Sequence, residues 1–207
     1  MKKSPPPEPT VYVVDDDPAL RDSLELLMRS VQLPVATFDS AQAFLDGYRE
    51  GAPGCLVLDI RMPGMSGLDL QERLLPEGIH LPVIIITGHG DVPMAVRALK
   101  SGALDFIEKP FNDQLLLDTV KRALELDARE REGRGQKAAL EERLSKLTPR
   151  EREVLEMVVA GRSNKQMAAD LGVSQKTIEA HRAKVMEKSG ARSLSDLMRM
   201  ILTDGVE

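Results

Sequence analysis

The chain is short of several residue types, and each shortage excludes something. Its 207 residues include one cysteine, no tryptophan and only two tyrosines. A single cysteine rules out an internal disulfide framework, and Leu56, Val57 and Leu58 beside Cys55 mark a buried strand in which the thiol is an inert small hydrophobe. Tyr12 and Tyr48 both fall in the front half, so no RNP-like aromatic motif exists for stacking on RNA bases. No apolar run approaches the roughly 18 residues that a membrane-spanning helix needs. Met1 to Pro9 is a polar, proline-rich arm without the apolar stretch of a signal peptide, so a disordered arm (1–9) and a cytoplasmic protein are expected.

What is present fits a soluble globular protein of two parts. Apolar residues make up 42% and charged residues 29%, and the length suits one domain of about 120 residues and a smaller one of about 60. The net charge of -5 is unevenly spread: residues 1–126 carry -7, while 127–146 and 147–207 each carry +1. Within the rear part, Ser174 to Gly190 sets Lys176, Arg182, Lys184 and Lys188 against Glu179 and Glu187, a modest local excess that can meet phosphates.

In the front part, apolar runs of strand length alternate with amphipathic stretches of helix length, the pattern of a parallel sheet covered on both faces. Strands are predicted at Thr10 to Val14, Val35 to Phe38, Cys55 to Leu58, Val83 to Ile86 and Asp105 to Ile107. Helices are predicted near Pro18 to Val31, Ala41 to Arg49, Gly67 to Leu75, Val92 to Lys100 and from Asp113 onward. Ligands of open α/β sheets bind beyond the carboxyl ends of the strands. There stand Asp15, Asp16 and Asp17, then Asp59, Thr87 and the pair Lys109-Pro110. Clustered carboxylates repel unless one is protonated or a hard divalent cation joins them, and Mg²⁺ is the better guess. Held by Asp16 and Asp59, and by Asp15 through water, Mg²⁺ leaves a carboxylate oxygen of Asp59 free to attack phosphorus. Lys109 then offers positive charge to the phosphoryl oxygens and Thr87 a hydroxyl donor.

The runs V-V-D-D-D, L-D-I-R-M-P-G-M-S-G, I-I-I-T-G-H-G-D-V-P-M-A-V and D-F-I-E-K-P-F resemble a two-component receiver domain, and together they resemble the FixJ subgroup of response regulators. The resemblance implies a flavodoxin-like, doubly wound α/β fold over residues 10–126. It implies that Asp59 accepts phosphoryl from a cognate sensor histidine kinase, that the backbone carbonyl of Arg61 completes the Mg²⁺ shell, and that Lys109-Pro110 is cis. It also implies a switch in which Thr87 moves toward the phosphoryl group and Phe106 rotates inward. The face from about Val92 to Phe111 is then predicted to repack and pair two receivers. Arg61 and His89, each two residues past a site residue, are expected to influence the lifetime of the phosphoryl group.

After Phe111 a helical pattern continues through Leu115, Val120 and Leu124, turns strongly charged, and is interrupted by Gly133 and Gly135. Residues 127–146 therefore read as a helical charged linker, without the sustained heptads of a coiled coil. In the rear part (147–207), Thr148, Pro149 and Glu151 form a capping-box signature for a helix to Ala160. Ser163 to Asp170 and a helix from N-cap Ser174 through Lys188 flank the turn Leu171-Gly172-Val173, a helix-turn-helix. Ala168 and Ala169 permit close packing, and Val173, Ile178 and Val185 form the apolar face of the longer helix. Ser174, Lys176, Thr177, Glu179, His181, Arg182 and Lys184 are candidate DNA contacts at its start and on the opposite face. L-T-P-R-E-R-E-V-L, N-K-Q-M-A-A-D-L-G-V-S and K-T-I-E-A-H-R-A-K-V-M-E-K resemble the LuxR-type DNA-binding domain. That resemblance implies an all-α, four-helix unit whose last helix, Ser193 to Ile201, pairs two copies on DNA.

Two other classes share part of this pattern. A Mg²⁺-dependent aspartyl phosphatase needs a second carboxylate two residues past its nucleophile, and here that position is Arg61, so the chain is not expected to be an enzyme. A receiver joined to an RNA-binding or docking module lacks the aromatic motif noted above. The expected partners are thus the kinase, duplex DNA at a promoter operator, a second copy on phosphorylation, and RNA polymerase, with no membrane.

Overall fold

A computed structural model describes residues 8–88 and 92–204, the last three by backbone alone. Most of the arm and His89 therefore lie outside the described residues. The chain divides into two compact units, residues 1–130 and 131–207.

In the first unit five parallel strands, β1 (Thr10–Val14), β2 (Val35–Phe38), β3 (Gly54–Asp59), β4 (Val83–Thr87) and β5 (Asp105–Glu108), lie in the order β2-β1-β3-β4-β5. Helices α1 (Pro18–Ser30), α2 (Ala41–Gly47), α3 (Gly67–Leu74) and α4 (Val92–Lys100) and the first turns of α5 (Asp113–Ser145) connect and cover them. Alternation along each strand splits the core in two. Tyr12, Val14, Leu56, Leu58, Val83 and Ile85 pack with Phe44, Leu70, Leu74 and Ala98 of α2 to α4. Val11, Val13, Cys55, Val57, Ile84 and Ile86 pack on the other face with Leu24 and Met28 of α1 and Leu116, Val120 and Ala123 of α5. Each such fully buried Leu, Ile or Val contributes about 1.5–3 kcal/mol of transfer free energy. Short continuous apolar runs rich in Val, Ile and Leu, bounded by turn residues, are why these segments, predicted from the sequence, form a sheet buried on both faces. Asp59 and Thr87 are the last residues of β3 and β4 and so belong to the strands rather than following them.

Helix α5 runs unbroken for 33 residues, so Gly133 and Gly135 do not interrupt it. Both have open space where a side chain would stand, and their neighbours Glu132, Arg134, Gln136 and Lys137 are good helix formers. Each glycine weakens the helix by about 1 kcal/mol relative to alanine without ending it.

The second unit holds the end of α5 and α6 (Pro149–Val159), α7 (Asn164–Leu171), α8 (Gln175–Ser189) and α9 (Leu194–Asp204). Leu140, Leu144, Leu147, Val154, Val158, Met167, Ile178, Val185 and Leu197 form its core. Thr148 and Glu151 make the expected capping box, and Ser163 and Gln166 make a second one, at α7. Gly172, at φ 65°, ends α7 in the left-handed region and lets the chain turn into α8. Of the two alanines expected to pack closely, Ala168 is buried and Ala169 is exposed.

Candidate functional site

The strand order puts the ends of β1, β3, β4 and β5 side by side, and the polar residues at those ends meet. Asp15 and Asp59 are 1% and 5% exposed, and Thr87 is 1% exposed. The Lys109 ammonium joins the two carboxylates, donating to Asp15 Oδ2 and to Asp59 Oδ1 at 2.7 Å each. Burial alone would lower the Lys109 pKa, but its bonds to Asp15 and Asp59 outweigh burial and raise it. Burial raises the Asp15 carboxyl above its ordinary value, against the opposing pull of Lys109 and of the Asp17 N–H. The Lys109-Pro110 bond is cis, as the resemblance implies.

Local structure fixes each of these groups. Asp59 Oδ2 accepts the Arg61 N–H at 2.6 Å, so the contact recorded for Arg61 is through its nitrogen. Gly67, at the start of α3, donates its N–H to the Ile60 carbonyl at 2.9 Å. A Cβ there would stand 2.1 Å from the Asp59 carbonyl oxygen, so the loop after β3 closes only around glycine. Asp15 Oδ1 accepts the Asp17 N–H at 2.9 Å, and the Asp17 side chain caps α1 at Ala19. Asp16 between them is exposed.

Two residues that the sequence reading passed over complete the arrangement. Arg21, one turn into α1, donates to the Asp15 carbonyl at 2.7 Å and holds the β1–α1 loop. At the opposite end of the sheet, Asp127 of α5 is 2% exposed and accepts the Gly54 N–H at 2.9 Å. Gly54 has φ 150°, and a Cβ there would strike the Thr10 carbonyl at 1.9 Å. Arg21 carries a helical-turn spacing from Pro18 that points it at the loop, whereas nothing in the sequence pairs positions 54 and 127.

No three acidic, histidine or cysteine side chains stand together as a ready metal-ligand group among the described residues. The donor chemistry nonetheless suits a hard cation: Asp15, Asp16 and Asp59 offer oxygen ligands and exceed in charge the single ammonium of Lys109. Phe106 is half-buried against the core on the α2 to α4 side. Next to it Val92, Val96 and Leu99 form an exposed apolar stripe on α4, at 77%, 43% and 50%. Burial, with the charge of Asp127, pushes the Cys55 thiol up to about 12, which makes it inert.

In the second unit, Ser174 caps α8 through Thr177 N at 3.1 Å, and the Ser174 and Thr177 hydroxyls lie 2.9 Å apart. Ile178 and Val185 are buried and Val173 is half-buried, whereas Lys176, Glu179 and Lys184 are exposed. Other candidates are less free than the sequence suggests. His181 and Arg182 are half-buried, and Arg182 Nη1 donates to Asn164 Oδ1 of α7 at 2.7 Å. Lys184 pairs with Glu187 at 2.7 Å. Lys188 pairs with Glu151 at 2.6 Å.

A buried aspartate bonded to a lysine at the edge of a parallel sheet, in series with a helix-turn-helix, defines a phosphorylation-dependent transcriptional regulator. Comparison with known proteins makes this specific. Residues 11–121 match the response regulator receiver domain, and residues 145–201 match the bacterial regulatory proteins of the luxR family. The chain is 50% identical to nodulation protein W of Bradyrhizobium diazoefficiens over 95% of this chain and 86% of that protein. It is 47% identical to the transcriptional regulatory protein FixJ of Azorhizobium caulinodans over 95% and 93% of the two chains. Among solved structures, response regulator StyR matches at 46% identity with a TM-score of 0.82, covering 95% of this chain and 99% of that one. Full-length FixJ from B. japonicum matches at 43% identity with a TM-score of 0.57, over 97% and 99%. The chain belongs to the two-component response regulators of the FixJ subgroup, with a receiver domain and a LuxR-type DNA-binding domain. FixJ of Azorhizobium caulinodans is named a transcriptional regulatory protein, and the two domains imply a kinase partner and DNA binding. Receiver domains generally bind Mg²⁺ at the phosphorylation site. No described helix is long and apolar enough to cross a membrane.

Proposed function

We propose that Asp59 is the phosphoryl acceptor of this regulator, within a receiver of residues 10–126. A carboxylate oxygen of Asp59 attacks the phosphorus of a phosphohistidine on the sensor kinase. The P–N bond breaks, the imidazole leaves, and an aspartyl phosphate remains. The observation that carries this reading is the pair of 2.7 Å bonds that hold Lys109 between Asp59 and Asp15, beside the end of β4 at Thr87. Lys109 then balances charge on the transferred group, and the Thr87 hydroxyl donates to it. Asp15, Asp16 and Asp59, with the Arg61 carbonyl, would hold Mg²⁺, which when bound neutralises charge on the transferring phosphoryl.

The new charge of about -1.5 to -2 biases a two-state receiver. Thr87 and Phe106 shift inward, and the face from Val92 to Phe111 pairs with a second copy. The exposed stripe of Val92, Val96 and Leu99 supports that face, because burying it against a partner removes apolar surface from water. Helix α5 leads into residues 147–207, where α8 enters the major groove of an operator. Ser174, Lys176, Thr177, Glu179, His181, Arg182 and Lys184 lie at or near the DNA, and a paired regulator would meet RNA polymerase there, in the cytoplasm. A regulator of transcription that does no turnover on a substrate needs no second acid, and Arg61 stands where one would be.

Sedimentation and selection from a duplex library test this on wild type and Asp59→Asn, each with Mg²⁺ and acetyl phosphate. Wild type alone is expected to dimerise and gain DNA affinity. Equal behaviour of both proteins would remove Asp59 from control.

A further inference from the structure

The last turns of α5 are part of the core of the second unit, since Leu140 and Leu144 of the helix and Leu147 just after it are buried with Val154, Ile178 and Val185. Polar bonds tie these turns, and the residues just after them, to the start of α6 and the far end of α8. Lys188 Nζ donates to the Lys146 carbonyl at 3.1 Å and to Glu151 Oε2 at 2.6 Å. Arg143 Nη1 donates to the Ser189 carbonyl at 3.4 Å, and Arg152 Nη2 to the Leu144 carbonyl at 3.1 Å. Glu151 is 6% exposed, and its Oε2 also accepts the Thr148 N–H at 2.8 Å. Gly190, which ends α8 at φ 75°, lies against Arg143, where a Cβ would come within 3.1 Å of Nη1. Three elements thus meet at one joint: the end of α5, the start of α6 and the end of α8.

We propose that Arg143, Glu151 and Lys188 are positioning residues for DNA recognition, fixing the C-terminal end of α8 to the last turn of α5. A reorientation of this end of α5 then carries α8 with it. The inference rests on the reading that α8 enters the groove, and none of the three residues touches DNA. Leverage makes the joint matter. Helix α8 has 15 residues and so is about 22 Å long. A tilt of about 10° at its C-terminal end moves its N-terminal end by about 4 Å, more than a base-edge hydrogen bond tolerates. A half-buried ion pair such as Lys188 with Glu151 is weak support for stability, because desolvation offsets much of its attraction, but it does select one geometry.

The test uses the full chain with Mg²⁺ and acetyl phosphate, well below its melting temperature. Binding is measured across a salt series to a duplex selected by wild type and to a random duplex. Lys188→Met is expected to lower the ratio of selected to random affinity by about tenfold at an unchanged salt slope. Arg143→Met lowers the ratio in the same way. Glu151→Gln, whose amide still accepts the Thr148 N–H, lowers it less, and Lys188→Arg retains most of it. An unchanged ratio in Lys188→Met overturns the proposal. So does equal weakening on both duplexes with a slope shallower by about 0.9, which would make Lys188 a phosphate contact. A wild type that binds no duplex overturns the DNA reading itself, before any variant is compared.

Discussion

Replacing Lys109 by methionine should destabilise the first unit and make it unusually responsive to Mg²⁺. The ammonium lies 2.7 Å from each of two carboxylates that are almost wholly buried, while its own side chain is 22% exposed. Methionine keeps the length and removes the charge, leaving Asp15 and Asp59 facing each other. Breaking a buried ion pair from one side costs about 3–5 kcal/mol. Partial exposure of Lys109 and the readiness of Asp15 to take a proton reduce this to about 2 kcal/mol. For a unit of this size that lowers the melting midpoint by about 5–10 °C. Calorimetry of the full chain in EDTA measures it. Asp15 already has its pKa raised by burial, and losing Lys109 raises it further, so the folded state binds a proton that the unfolded state releases. The loss in EDTA should therefore shrink as pH falls toward 5. Mg²⁺ restores positive charge among the same oxygens, so it should raise the midpoint of Lys109→Met more than that of wild type. Equal midpoints in EDTA, or equal responses to Mg²⁺, would refute the idea that Lys109 reconciles these carboxylates.

Asp127→Ala leaves the Gly54 N–H without its acceptor and should cost about 1–3 kcal/mol in urea unfolding, with Asp127→Asn costing less because an amide oxygen still accepts. Equal loss in both variants would assign the effect to charge. The Cys55 thiol, pushed up to about 12 and buried, should react with a disulfide reagent at pH 8 only as fast as the unit opens; modification within seconds in the native state would contradict that. In the second unit, the Lys188 bond and the Thr148 N–H hold the Glu151 carboxyl at about 2. A depressed acid contributes stability that is present above its ordinary value of 4.5 and lost as pH falls through about 2. Acid unfolding followed by circular dichroism should therefore have a shallower pH dependence across that window in Glu151→Gln than in wild type.

The sheet and the cluster of Asp15, Asp59 and Lys109 were legible because both depend on local pattern. Continuous short apolar runs such as V-Y-V-V and C-L-V-L mark strands buried on both faces, and a parallel sheet sends the residue after each strand to one edge. Asp15, Asp59, Thr87 and Lys109 could be collected from sequence for that reason alone. Strand ends drifted by a residue, since Asp59 and Thr87 still make ladder pairs with Ile86 and Glu108. What stayed hidden depends on distance along the chain. The Asp127 bond to Gly54 spans 73 positions, and Lys188 reaches Glu151 across 37. The glycines of α5 misled in the other direction, because a helix tolerates an exposed glycine that is flanked by strong formers.

Charge in the second unit shows why composition was a poor guide to the surface proposed to meet DNA. Ser174 to Gly190 holds four cations, and the fold has already committed three of them. Lys188 is bound at the joint with Glu151, Arg182 is bonded to Asn164, and Lys184 faces Glu187. These commitments differ in strength. The Lys184 pair is exposed on both sides and contributes little, so a phosphate can displace Glu187. Arg182 is half-buried and bridges α7 to α8, so its loss would disturb the angle between the two helices as well as any contact with a base. Lys176 is exposed in the first turn of α8 and makes no ion pair among the described residues. A near-neutral unit can therefore still bind DNA, because what matters is which cations remain available at the helix start, and Lys176 and Lys184 are the two that do.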